Sequence, residues 1–230
     1  MQSGCLKEFA ELSFTGNGAS YGHIADISTL GLDRWWKQRI LWKIPANPAH
    51  IIDLACGTGI LTFKIARRFP QCKITGADLQ EGYLSIARQR ARELRLNNVG
   101  FIRGDAEKIL LDGHFDCITS SYLAKYVDLD IVVANAREML RDGGVLIVHE
   151  LTYPANAFWA WIIGIHFKLL QTYVKWMRPE WETSFRDLPT LIRETKWVDE
   201  LTKALRANNF SDIKIDPLAF GASAIVSARK

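Results

Sequence analysis

Cysteine is scarce and scattered. The chain carries four, Cys5, Cys56, Cys72 and Cys117, and no two form a C-x-x-C pair. Such spacing supports neither a zinc centre nor a disulfide framework; it reads as reduced, buried thiols of a cytoplasmic protein. Long apolar runs are lacking too, and nothing approaches the ~18 uninterrupted apolar residues of a membrane span. The opening MQSGCLKEFAELSF has no apolar core and holds Lys7, Glu8 and Glu11, so no signal peptide is expected. Neither sign of charge dominates, because 29 Lys and Arg against 25 Asp and Glu leave a formal net of +4. That excess is too small to argue for nucleic acid, and no basic stripe or Asn/Asp-Pro-Pro-aromatic signature for a flipped base is seen. It is compatible with an anionic membrane surface. Repeats and low-complexity tracts are missing.

What remains is ordinary globular material: 230 residues, 48% hydrophobic and 23% charged, enough for one core. From His50 onward, strand-like runs (His50–Ala55, Lys73–Asp78, Val99–Arg103, Phe115–Ser121, Val145–Glu150) alternate with helical patterns (Ile60–Arg68, Gly82–Leu94, Ile131–Leu140). A short helical turn is expected after Asp105. This alternation predicts right-handed crossovers and a parallel sheet with helices on both faces. A helix near Lys196–Asn208 precedes two closely linked strands, Asp212–Pro217 and Ala219–Ala228, which should pair antiparallel. The expected class is therefore α/β: a Rossmann-like, seven-stranded, mostly parallel sheet with an antiparallel last strand. Four segments make up one domain: a helical cap (residues 1–45), a core (46–154), an insertion (155–195) and a terminal helix with hairpin (196–230). The cap includes an aromatic helix, Leu30 to Lys43, with Trp35, Trp36 and Trp42, ended by Pro45 and Pro48.

The core begins with HIIDLACGTGILTFKIARRFP, residues 50–70. A buried strand becomes a helix across two glycines one residue apart. Glycine permits a tight bend and close approach of a ligand, and strand, bend and helix N-terminus together form a nucleotide-type pocket. A P-loop is excluded by the missing Gly-Lys-Ser/Thr. The dinucleotide pattern needs a third small residue where Ile60 stands, which disfavours an NAD- or FAD-type oxidoreductase. D-x-A-x-G-x-G suits S-adenosylmethionine (SAM), whose end is an amino acid: Asp53 can accept from its ammonium. Asp78 ends the second strand, 19 residues past Gly59, where a carboxylate can take ribose hydroxyls. Asp105, in Gly104-Asp105-Ala106 after the third strand, can accept from the adenine amino group. Three carboxylates at successive strand ends say more than any one, since a lone Asp there is usually a cap or turn former.

With these motifs the chain resembles class I SAM-dependent methyltransferases, and among them the ubiquinone/menaquinone biosynthesis C-methyltransferases. The likeness runs from ASYGHIADISTLGLDRWWKQRI through DLACGTGILTFKIAR, GADLQEGYLSIARQR, FIRGDAEKI, FDCITSSYLAKYV and REMLRDGGVLIVHE to the C-terminal LTKALRANNFSDIKIDPLAFGASAIVSARK. It implies that Asp53, Ala55, Cys56, Gly57, Gly59, Asp78, Leu79, Asp105 and Ala106 line a SAM site, that Tyr21 closes over the cofactor, and that Ser120 and Ser121 lie where methyl meets acceptor. It implies a prenylated quinol precursor or similar lipophilic ring as acceptor. Two positions depart from the family: Ile60 replaces a residue that is often acidic, and Lys125-Tyr126 replaces an Arg-Asn pair held to help activate the ring. Arg offers a planar fork and Lys a point charge, so O- or N-methylation of a small molecule stays open, as does a non-catalytic SAM-binding subunit.

Carbon methylation needs an electron-rich, phenolate-like ring. Lys125 can stabilise that anion or act as base, and Tyr126 can hydrogen-bond a ring oxygen. His149 and Glu150, at the end of strand five, and His166, on the inserted helix, are candidate proton acceptors. Each histidine also reads simply as a satisfied buried group, and Lys125 as a solvated loop charge. In the insertion, NAFWAWIIGIHFKLLQTYVKWMRPEW places Phe158, Trp161, Ile162, Ile165, Leu169, Tyr173 and Trp176 on a helical stripe, widened by Trp159, Ile163, Phe167 and Leu170 and flanked by Lys168, Lys175 and Arg178. Three readings compete: a lid over the acceptor, an interfacial helix (residues 157–178) touching a membrane, and a homodimer interface.

Overall fold

The structure is a computed structural model that describes residue 18 and residues 20–112 and 114–230. Cys5, Ala19 and the cap's first 17 residues lie outside the described residues. Two helices, α1 (Tyr21–Ser28) and α2 (Leu32–Lys43), precede β1 (His50–Leu54), α3 (Ile60–Arg68), β2 (Lys73–Asp78), α4 (Glu81–Glu93), β3 (Val99–Arg103), β4 (Phe115–Ser121), α5 (Leu129–Met139) and β5 (Leu140–Leu151). The insertion forms α6 (Ala157–Met177) and α7 (Glu182–Glu194), joined by a single 3-10 turn. Helix α8 (Trp197–Ala207) and strands β6 (Ser211–Leu218) and β7 (Ser223–Arg229) finish the chain.

One sheet orders the strands 3-2-1-4-5-7-6. Strands β1 to β5 pair in parallel, and β7 runs antiparallel to both β5 and β6. The expected class is therefore observed. Successive side chains on a strand point to opposite faces, and here both faces are apolar. Ile51, Cys117, Ile147 and Ile225 pack toward α2 and α3, whereas Ile52, Ile118, Leu146 and Val226 pack toward α5 and α8. Cys56, Cys72 and Cys117 are buried and unpaired, as the sequence implied.

Two boundaries differ from expectation. The cap helix expected over Leu30–Lys43 starts at Leu32 and is preceded by a separate α1: Leu30 and Gly31 adopt φ of 52° and 77°, and the Thr29 hydroxyl turns back to the Ala25 carbonyl. This frees α1 to lie over the sheet's carboxyl edge. Strand β5 starts earlier because Arg141-Asp142-Gly143-Gly144 follows the sheet as a bulge opposite Phe115 to Cys117. Asp116 anchors it through an ion pair with Arg141.

Candidate active site

The ends of β1, β2, β3 and β4 open into one cavity of about 210 Å³, roofed by α1 and α7. On the sheet side it is lined by Ala55, Gly57, Asp78, Leu79, Gly104, Asp105 and Ala106. Backbone geometry explains the edge. Gly57 and Gly59 have φ of 55° and 84°, and Ala55, with a β-carbon, is also held at 54°, a conformation costing about 1 kcal/mol or more. A Cβ at Gly57 would meet nothing nearer than Tyr83 at 3.8 Å and would project toward the cavity. The Gly57 amide donates to Asp78 Oδ2 (2.8 Å) and the Gln80 amide to Oδ1 (2.9 Å). Burial pushes the Asp78 carboxyl up, against those two bonds. A carboxylate in that position has lone pairs left for further donors from the cavity. Asp105 also lines the cavity while its Oδ1 accepts from the Glu107 amide (3.1 Å), capping the single helical turn expected after it.

Asp53 is differently placed. It pairs in register with Thr119 and points to the α3 face, where it is 1% exposed. Thr119 donates to Oδ1 (2.8 Å) and Thr62, from α3, to Oδ2 (2.6 Å). It is not among the residues that line the cavity and lies beneath the glycine bend. Burial pushes its pKa up to about 6, held back by the two hydroxyls. Cys56 and Gly59 also face away from the cavity, with the Cys56 amide bonded to Ala77 O (3.0 Å).

At the other end stand two buried ion pairs. Lys125, 4% exposed, binds Glu150, which is fully buried on β5. Lys37 binds Asp33 one turn earlier on α2. Tyr122 lies between them: its hydroxyl donates to Asp33 Oδ1 (2.7 Å), and the Lys37 and Lys125 ammonium groups sit 5.0 and 5.7 Å from its ring centre. Tyr122 has φ of 68°, so the β4 end is also a strained bend. Lys125, Tyr122 and Tyr126 line the cavity, and the Lys125 ammonium lies 4.7 Å from the Tyr126 ring centre. Burial lowers the Lys125 pKa, opposed by Glu150; burial also raises those of Tyr21, Tyr122 and Tyr126. The rest of this end is mostly apolar, with Ile24, Ala25, Leu123, Val127, Leu151, Trp181, Phe185 and Leu188, interrupted by Ser28, Thr29 and Ser184.

None of the three predicted proton acceptors His149, Glu150 and His166 lines the cavity, and Glu150 lies behind Lys125. His149 is fully buried, with Nδ1 on Ser121 Oγ (2.9 Å) and Nε2 on Ser223 Oγ (2.8 Å), and burial drives its pKa well down. It is a satisfied core histidine. His166 Nε2 meets the Ser28 carbonyl (2.8 Å) and ties α6 to the end of α1. Ser120 is buried behind the wall, while Ser121 lines it. Tyr21 does roof the cavity, 5.9 Å from Tyr83 and 6.1 Å from Trp181 between ring centres. Sequence reasoning missed Asp33, Lys37, Tyr122, Trp181 and Phe185. The (i, i+4) Asp33/Lys37 pair was the one available signal, and it reads as a surface pair until burial is known.

The stripe expected on the insertion points outward: Phe158, Trp161, Ile165, Leu169 and Trp176 are exposed. Phe167, Leu170 and Val174, on the opposite side of α6, pack with Ile24, Trp181, Phe185 and Ile192. Among the described residues no helix is long and apolar enough to cross a membrane.

Known proteins are similar to this chain in sequence and in fold. A demethylmenaquinone methyltransferase of Bacteroides fragilis is 24% identical over 231 residues, covering 99% of this chain and 94% of its own. The demethylmenaquinone methyltransferase of Thermotoga maritima is 28% identical over 226 residues, 96% of each chain. The ubiquinone/menaquinone biosynthesis C-methyltransferase UbiE of Shewanella pealeana is 31% identical over 163 residues, 68% of this chain and 65% of that one. The fold matches geranyl diphosphate C-methyltransferase of Streptomyces coelicolor A3(2), solved with S-adenosyl-L-homocysteine, with a TM-score of 0.63 at 16% identity over 88% of this chain and 82% of that one. With the family model for ubiE/COQ5 methyltransferases matching residues 11–230, the chain belongs to that family of SAM-dependent methyltransferases.

Proposed function

We propose that this methyltransferase methylates a ring carbon of a hydroxylated, lipid-tailed acceptor, a prenylated quinol precursor. One observation carries the reading: Lys125, a buried cation, lines the same cavity as the acidic strand ends, within a largely apolar wall. Bound SAM supplies an electrophilic methyl group on a sulfonium. The edge fits such a ligand, because Asp78 is a desolvated carboxylate lining the cavity, able to accept from ribose hydroxyls, and Gly57 keeps open the space a Cβ would fill. Asp105 then takes the adenine amino group, Ala55, Leu79 and Ala106 pack against the nucleoside, and Tyr21 closes over it. Asp53 holds the bend from below through Thr62 and Thr119.

The acceptor ring lies against Tyr122 and Tyr126 with its hydroxyl at Lys125. In-line methyl transfer needs alignment and a dry pocket, and an ammonium beside the ring oxygen favours the phenolate that makes the ring carbon nucleophilic. The apolar α1/α7 wall takes the tail. The exposed stripe of α6, with Lys168 and Lys175 beside it, docks on an anionic bilayer from which that tail is drawn; a second copy of the chain is the rival occupant of this face.

The test is an assay of purified protein with methyl-labelled SAM and an extracted lipid fraction. Label on a ring carbon of a prenylated quinol is expected. Label on oxygen or nitrogen would replace the reaction type, and no label in any fraction would make this a non-catalytic SAM-binding subunit.

A further inference from the structure

Resting on the reading above, we infer that Glu150 is the terminal acceptor of the acceptor's hydroxyl proton, reached through Lys125. Glu150 is fully buried and is the carboxylate in contact with Lys125 among the described residues. Its Oε1 receives the Lys125 ammonium and the Leu151 amide (2.7 Å). Its Oε2 meets no hydrogen-bond donor among the described residues. A half-engaged carboxylate at a buried position is costly, and such groups cluster where chemistry uses them.

The groups packed around it leave it without a rival. Tyr21 from α1 and Tyr122 and Tyr126 from the β4 end are phenols whose ionisation burial suppresses. His149, next to it on β5, is neutral with both ring nitrogens bonded to Ser121 and Ser223. Ser223, on β7, donates to the Glu150 carbonyl (3.0 Å). Asp33 on α2 is occupied by Lys37 and the Tyr122 hydroxyl.

The relay balances simply. A Lys125 N–H bond breaks and an O–H bond forms on Glu150 Oε1; the lone pair so freed on the Lys125 amine then takes the proton of the acceptor hydroxyl, whose O–H bond breaks. Lys125 is an ammonium before and after the relay, and the negative charge moves from Glu150 on one side of it to the acceptor oxygen on the other. The dry cavity thus never gains net charge, which would be expensive there. After methylation the ring C–H proton passes to water, and the ring oxygen regains its proton by the same path.

The experiment compares wild type with Glu150→Gln on two acceptors, a phenolic quinol analogue and an electron-poor analogue already ionised at the assay pH. With the phenolic acceptor the variant should lose turnover on the order of 10²-fold, with its acceptor KM and S-adenosylhomocysteine affinity unchanged and its remaining rate rising with pH. With the ionised acceptor the two proteins should agree within about threefold. Equal loss on both acceptors would mark a merely structural role and overturn the inference, as would no loss on either. A second readout needs no variant: wild-type single turnover should slow in D₂O with the phenolic acceptor and not with the ionised one, and equal rates in both solvents would also overturn it. Wild-type protein inert toward every hydroxylated ring would instead overturn the acceptor assignment and this inference together.

Discussion

The cavity's two ends are built by different means. The sheet edge is made of backbone: bends at Ala55 and Gly57, and the Asp78 and Asp105 carboxylates tied to nearby amides. The opposite wall is made of side chains gathered from distant parts of the chain, α1 before the sheet, the segment after β4 and α7 after β5, with α2 behind them. Polar groups on the edge meet backbone donors and remain open toward the cavity. Polar groups on the wall neutralise one another in the Asp33–Lys37 and Lys125–Glu150 pairs. An edge of this kind suits one invariant ligand, whereas a wall of this kind can be rebuilt for different acceptors without disturbing the edge.

Substitutions at each end should separate them. Asp78→Ala removes the carboxylate offered to the ribose. Two hydrogen bonds to a charged acceptor at about 1.5–3 kcal/mol each imply that S-adenosylhomocysteine affinity falls on the order of 10²-fold or more, read by calorimetry. Unchanged affinity would show that the edge does not hold the nucleoside. The smallest effect on the fold belongs to the outer face of α6. Trp161→Ser with Leu169→Ser, at positions 63% and 67% exposed, should change unfolding free energy by only about 0.5 kcal/mol. Flotation with anionic vesicles should nevertheless drop about tenfold. Wild-type partitioning by the double variant would remove the membrane from the account.

The same contrast explains what could be read from the sequence. Strand alternation, the glycine bend and the carboxylates at β2 and β3 follow from local rules, so the sheet and its edge were legible. For Asp53, alternation fixes which face it points to, but not that Thr119 lies beside it and Thr62 above. His149 looked reactive until its two serine partners, one of them on β7, were known. On α6 the periodicity was legible and the facing was not: a helix apolar nearly all round gives no sign of which side meets the core. Tyr122 and Asp33, 89 positions apart, meet only after the whole sheet has formed.

The central claim is that Lys125 acts on the acceptor and not on the cofactor. Lys125→Met should bind S-adenosylhomocysteine with the wild-type heat and affinity, which also certifies a folded sample, while ring-carbon methylation falls on the order of 10²- to 10³-fold. Normal turnover by that variant would contradict the account.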